Sequence, residues 1–340
     1  MTVTHKRQIE FISYIQRLLK EGDFTSTYKF AFLHALADIC IEQKLGLNDA
    51  RLKVSLSDIA ERIISLYWQH SQPFFAKKVG NEFVLLQNHG KQAKLVSELQ
   101  TLRQLGIKNF SQAKSSSHWH QLYLTTIKTL KDGPLWRLQI LSKEEDCFLY
   151  PHIKNRNYIE LNSGIAHCFR LFHDIVITLA RLGWINKISN IASNQKVIGR
   201  SGELNDFLFG SSRNSLLPAK NVLMEIQKNL CFYCKKPLRE SPEVDHFIPF
   251  SQYSNDLGHN FVLTHKICNH NKRDYLAAPE HRSNWEEQNL VKHEKTIVTS
   301  LSSFYECNAE RSILIADWAY NMAYRNGNKF WLKATDIFVS

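Results

Sequence analysis

The chain has 340 residues, with 43 Lys+Arg against 32 Asp+Glu, a formal charge of +11 and a pI near 9.2. Its 44% hydrophobic and 22% charged residues suit a folded protein and exclude a disordered or collagen-like one. It has no run of 18 apolar residues, and MTVTHKRQIEFISYIQRLL lacks a signal-peptide pattern, so the expectation is a cytoplasmic protein with no membrane span.

The charge is unevenly placed. Residues 221–340 hold 14 Lys+Arg and 14 Asp+Glu, whereas residues 1–220 hold 29 and 18 and carry the whole excess. The seven cysteines are odd in number and widely spaced, which argues against a disulfide framework. Cys40, Cys147, Cys168 and Cys307 stand singly and read as small core residues.

In chain order, residues 6–20 place Ile9, Ile12, Ile15 and Leu19 at helical spacing, and Gly22-Asp23 breaks the pattern. Residues 25–42 put Tyr28, Phe32, Ala35, Leu36 and Ile39 on one face behind a Thr25 or Ser26 cap. Their Ala/Leu/Phe richness predicts a buried helix. A third helix is expected over 57–69, with Ser57 as its cap and Glu61 near the capping-box position.

From Phe74 to Lys114 the chain is at its most basic. Lys77, Lys78, Lys91, Lys94, Arg103, Lys108 and Lys114 face only Glu82 and Glu98. The stretch is either a solvated surface or a phosphate-binding face. WRLQIL after Gly133-Pro134, and CFLY before Pro151, read as short strands. Residues 161–185 are expected to form one long apolar helix with Gly183 near its end. Residues 190–215, rich in Asn, Ser and Gly, are the best linker candidate.

Chemistry concentrates in residues 231–276. Cys231 and Cys234 are two residues apart, and so are His265 and Cys268, the spacing of a closed tetrahedral zinc site. Between the pairs, Val244-Asp245-His246-Phe247-Ile248-Pro249 reads as a strand ending in Asp-His and a turn. Asn260, Asn269 and Lys272 follow in order. After residue 280, Ile313, Ala316, Tyr320 and Ala323 share a helical face, and Trp318 and Tyr320 are expected in a core.

The combined pattern C-x2-C, D-H-x-x-P, N-F-V-L, H-x2-C-N-x2-K resembles the HNH family of endonucleases, also called His-Me finger or ββα-metal nucleases. The resemblance covers about residues 228–278. A neutral imidazole suits the proton acceptor for an attacking water near neutral pH, which makes His246 the candidate general base. The resemblance implies that Asp245 and Asn269 hold a catalytic Mg²⁺ or Mn²⁺ while Asn260 braces the loop and orients His246. The structural zinc on Cys231, Cys234, His265 and Cys268 is a separate site. His270 remains an alternative to Asn269, and His259 an alternative to Asn260. Lys272 and Arg273, one turn beyond Asn269, are expected to meet a phosphate, together with Lys77, Lys78, Lys91 and Lys94.

The expected fold is α+β and predominantly helical. A basic helical region, 1–215, would serve DNA recognition or partner binding. The ββα-metal module, 216–280, lies between it and a helical segment, 281–340, that packs on the module. The expected function is a metal-dependent DNA endonuclease of restriction or phage defence, acting as a homodimer or with a defence partner. The alternatives are an RNA-cleaving nuclease and a non-catalytic, zinc-stabilised nucleic-acid-binding protein.

Overall fold

The computed structural model describes residues 3–22, 25–46, 51–74, 83–198, 201–210, 216–239, 241–333 and 336–339. The chain is mostly helical with small two-stranded sheets, and it divides into two compact units, Met1–Phe209 and Gly210–Ser340.

The first unit is built around the helix Tyr28–Glu42, all of whose residues are buried. The helices Leu56–His70, Ile165–Leu171 and His173–Ser189 pack on it. An antiparallel strand pair, Leu52–Ser55 with Tyr158–Leu161, joins distant parts of the chain. The core runs through Phe11, Phe32, Leu36, Ile63, Tyr67, Phe169 and Trp184.

Several local expectations shift. The first helix, His5–Glu21, buries Phe11, Tyr14, Ile15 and Leu18, while Ile9 is 68% exposed. The helix Leu56–His70 is capped by Ser55, whose Oγ accepts from the Asp58 amide at 3.0 Å, and not by Ser57. Glu61 pairs instead with Lys114. Gly183 lies inside the helix His173–Ser189, where a Cβ would stand 2.4 Å from Phe30 Cε1, so the close approach of that ring asks for glycine. CFLY is not a strand, and Pro134–Arg137 is a helical turn. Part of the expected linker, Ser201–Phe209, is a helix that sends Leu204, Leu208 and Phe209 into the core.

The second unit holds a ββα arrangement. Strand Glu243–His246 pairs antiparallel with Phe261–Thr264, in the register Asp245↔Val262 and His246↔Phe261, and the helix Lys266–Lys272 follows. Two strands of this length are marginal alone, and side-chain amides complete the outer hydrogen bonds. Gln227 donates to Leu263 O at 2.7 Å and accepts from Leu263 N at 2.8 Å. Asn289 donates to His259 O and Phe261 O. Later residues pack on this core. Trp285 stacks on Phe247 at 4.8 Å, and the helix Ala309–Asn326 buries Trp318 and Tyr320. Among the described residues, no helix is long and apolar enough to cross a membrane.

Candidate metal and active site

The cysteine pairs close on each other. Cys231 Sγ, Cys234 Sγ, a ring nitrogen of His265 and Cys268 Sγ all lie within 4.8 Å of one another. A tetrahedral zinc spaces such donors by roughly 3.5–3.8 Å, so the group can hold one. A tight turn forms the knuckle. Lys235 N donates to Cys231 O at 3.0 Å, with Lys235 at φ 57°. Phe232 N donates to Leu263 O and ties the knuckle to the hairpin. His265 Nε2 lies 3.1 Å from Pro237 O, so it carries the proton and leaves Nδ1, 3.3 Å from Cys234 Sγ, as the ligand nitrogen. The Cys231 thiol is pulled down to about 4, first by its hydrogen bond with Cys268 and then by backbone N–H groups, including that of His265. The local chemistry therefore favours a thiolate there.

The second constellation lies along the hairpin and the helix. Glu243 and Asp245 share one face of their strand. Asn269 and Lys272, three apart on the helix, reach that face. Asn269 Nδ2 donates to Glu243 Oε2 at 3.0 Å, and Lys272 Nζ stands 3.1 Å from Asp245 Oδ2. The amide oxygen of Asn269 and Oδ1 of Asp245 have no hydrogen-bond partner among the described residues. Two uncommitted hard oxygens fit a divalent cation that keeps several waters, as Mg²⁺ does.

His246 ends the strand. Its ring lies 5.2 Å from both Phe250 and Phe261, and its Nε2 lies 2.7 Å from Asp256 Oδ1. Asn260 pins the following turn, accepting from Ile248 N at 2.8 Å and donating to Ile248 O at 2.9 Å, while its own carbonyl accepts from Phe247 N.

Lys272 is a correction. It is fully buried, and its ammonium donates to His246 O at 2.9 Å while pairing with Asp245, so it serves the interior and offers nothing to a phosphate. Arg273 is exposed at the helix end. His270 lines a groove of about 980 Å³ with Arg239, Ser241, His265, Lys266 and Ile267. His259 is fully buried.

In the first unit, Lys91 is exposed, and Lys94, 67% exposed, lies 3.9 Å from Glu98. Lys77 and Lys78 lie outside the described residues. Arg103 is turned inward, over the Trp68 ring and onto Ser71 Oγ at 2.7 Å.

Three site residues escaped the sequence reading. Tyr233, inside the cysteine knuckle, donates its hydroxyl to Asp245 Oδ2 at 2.7 Å. Burial, then the charge of Asp245, push the phenol well above its usual range, so it stays a donor. Glu243 was visible as the strand neighbour two before Asp245. Asp256 carried no spacing signal.

A family model described as HNH endonuclease matches residues 231–278, and one described as a domain of unknown function (DUF8808) matches residues 8–208. Neither the comparison with curated proteins nor that with solved structures gives a match. With a metal-competent Cys231/Cys234/His265/Cys268 group framing an Asp-His hairpin and its helix, this chain belongs to the DUF8808 family and carries an HNH endonuclease module after that domain.

Proposed function

We propose that the chain is a metal-dependent endonuclease that hydrolyses DNA phosphodiester bonds in restriction or phage defence in the cytoplasm. The observation that carries the reading is the order in which the ββα arrangement presents Asp245 and His246 at the end of one strand and Asn269 on the following helix, hydrogen-bonded to Glu243 on the Asp245 face, beside the Cys/His group.

Asp245 and Asn269 would hold the catalytic cation, whose chemistry when bound is to relieve charge on the phosphate and on the departing oxygen. His246 takes the proton of the attacking water. Asn260 keeps the turn after His246 in place, and Tyr233 and Lys272 fix one oxygen of Asp245. Arg239 and Lys266, in the groove beside the helix, are suited to the nucleic-acid backbone. Lys91 and Lys94 add to the basic first unit. One active site per chain means that a double-strand break takes a homodimer, two successive nicks or a defence partner.

A second reading is a non-catalytic nucleic-acid-binding protein. The Lys272 ammonium, already against Asp245, favours it, since it supplies a positive charge without an added ion. Incubating the protein with plasmid DNA and with structured RNA, with and without Mg²⁺ or Mn²⁺, separates the readings. Cation-dependent DNA cleavage is expected. Cleavage of RNA alone would change the substrate, and binding without cleavage of either would leave the second reading.

A further inference from the structure

Asp256 lies ten residues beyond His246, in the loop that leads to Asn260. Its Oδ1 is 2.7 Å from His246 Nε2. An ionised carboxylate only accepts hydrogen bonds, so the ring nitrogen facing it carries the proton. A neutral imidazole protonated at Nε2 has its lone pair on Nδ1. Nδ1 has no hydrogen-bond partner among the described residues, and the side chain keeps 10% of its exposure.

The surroundings hold both partners in place. Phe250 and Phe261 flank the imidazole, and the His246 carbonyl is tied to Lys272. Just past Asp256, Gly258 N donates to Glu306 O at 2.9 Å. A Cβ at Gly258 would stand 2.6 Å from Cys307 Sγ, so only glycine admits this approach.

We infer that Asp256 is the positioning residue of His246: by accepting Nε2–H it holds the tautomer whose Nδ1 takes the proton from water. This rests on the nuclease reading above. In the step, a water O–H bond breaks and its proton goes to Nδ1. The water oxygen bonds to phosphorus, the P–O3′ bond breaks with its electron pair leaving on O3′, and O3′ takes a proton from solvent. The imidazolium keeps Nε2–H against the Asp256 carboxylate, which stabilises its charge.

The test compares the full-length wild type with Asp256→Asn and Asp256→Ala. Asp256 is 25% exposed, and Asp256→Asn keeps its size, so melting of both variants, measured alongside, separates a loss of fold from a loss of chemistry. Asp256→Asn should melt like the wild type. Two readouts follow. The first is kcat on plasmid DNA, expected to fall about 10- to 100-fold with KM within about twofold. The second is the imidazole ¹⁵N spectrum of His246, identified by its loss in His246→Ala and taken with the ring neutral. Nε2–H is expected in the wild type and a shift toward Nδ1–H in the variants. Unchanged kcat and tautomer in both variants would overturn the proposal, as would Nδ1–H in the wild type. If the wild type cleaves nothing, the nuclease reading fails, while the nitrogen spectra still decide the pairing.

Discussion

In Met1–Phe209 a continuous apolar core surrounds one fully buried helix, whereas in Gly210–Ser340 four-residue strands and a seven-residue helix are fastened by side chains. The first unit gains most from burial, which needs no particular chemistry at any one position. The second has its own apolar core, with Phe247, Phe261, Leu263 and Trp285 buried, and its short ββα elements are also held by the Cys/His group, Gln227, Asn289 and Asn260. The Cys/His group also fixes residues that the proposed chemistry needs. The knuckle that holds Cys231 and Cys234 carries Tyr233 to Asp245, and the helix that holds Cys268 carries Asn269 and Lys272. On the proposed reading, metal binding at the Cys/His group is coupled to assembly of the site around Asp245 within the second unit.

The largest effect that can break this contrast is removal of zinc. Binding free energy at such a site is folding free energy, on the order of 10 kcal/mol in small zinc domains. Chelation, or Cys231→Ser, should abolish one thermal transition and leave a second, belonging to Met1–Phe209, within a few degrees. Loss of both transitions, or of neither, would refute the division.

A smaller effect comes from acid, and it should strike the first unit. Burial pushes His34 and His70 down to about 3. Both are neutral in the folded unit but titrate near 6.5 when unfolded. Below about pH 6.5 the unfolded chain therefore binds protons that the folded one does not. Stability should fall as pH drops from about 6.5 toward 3, by up to roughly 1.4 kcal/mol per pH unit for each histidine. His173 is raised by its hydrogen bonds to Asp174 and Asp38, against its burial, so it opposes the fall around pH 6.5 and adds no slope well below it. Asp38, held low by His34 and by its bond to His173, against its burial, yields only below the window. Denaturant midpoints of this transition between pH 7 and 4 check the sign, and a flat series would contradict it.

The smallest effect concerns nucleic acid. If the first unit carries the electrostatic attraction, Lys91→Gln with Lys94→Gln should flatten the log–log salt dependence of DNA binding by about 1.8. Zinc content should not change. An unaltered slope would move the attraction to the second unit, where Arg239 and Lys266 line the groove.

The helix Lys266–Lys272 shows how far the sequence could be read. Cys268 was legible because ligand spacing is local. Lys272 was misplaced, although it stands four residues after Cys268 and so shares that inward face. The helical character of the first unit was legible too, but not its phase. Of the expected stripe Ile15 is buried and Ile9 exposed, and Phe11, Tyr14 and Leu18 complete the buried face, since the direction of the packing partner decides which stripe is covered. Gly183 read as a helix end because its reason, the ring of Phe30, is far away in sequence. Asp256 was invisible for the same cause. Its contact with His246 is made by a loop, and loops carry no period.

The central claim is that His246 is the proton acceptor of a hydrolytic site in the second unit. It is tested most directly by His246→Ala assayed beside the wild type for zinc content, melting and plasmid cleavage with Mg²⁺. The variant should keep its zinc and both transitions while cleavage falls by about 10²- to 10⁴-fold. Equal cleavage by the two proteins, with zinc and fold intact in both, would contradict the account.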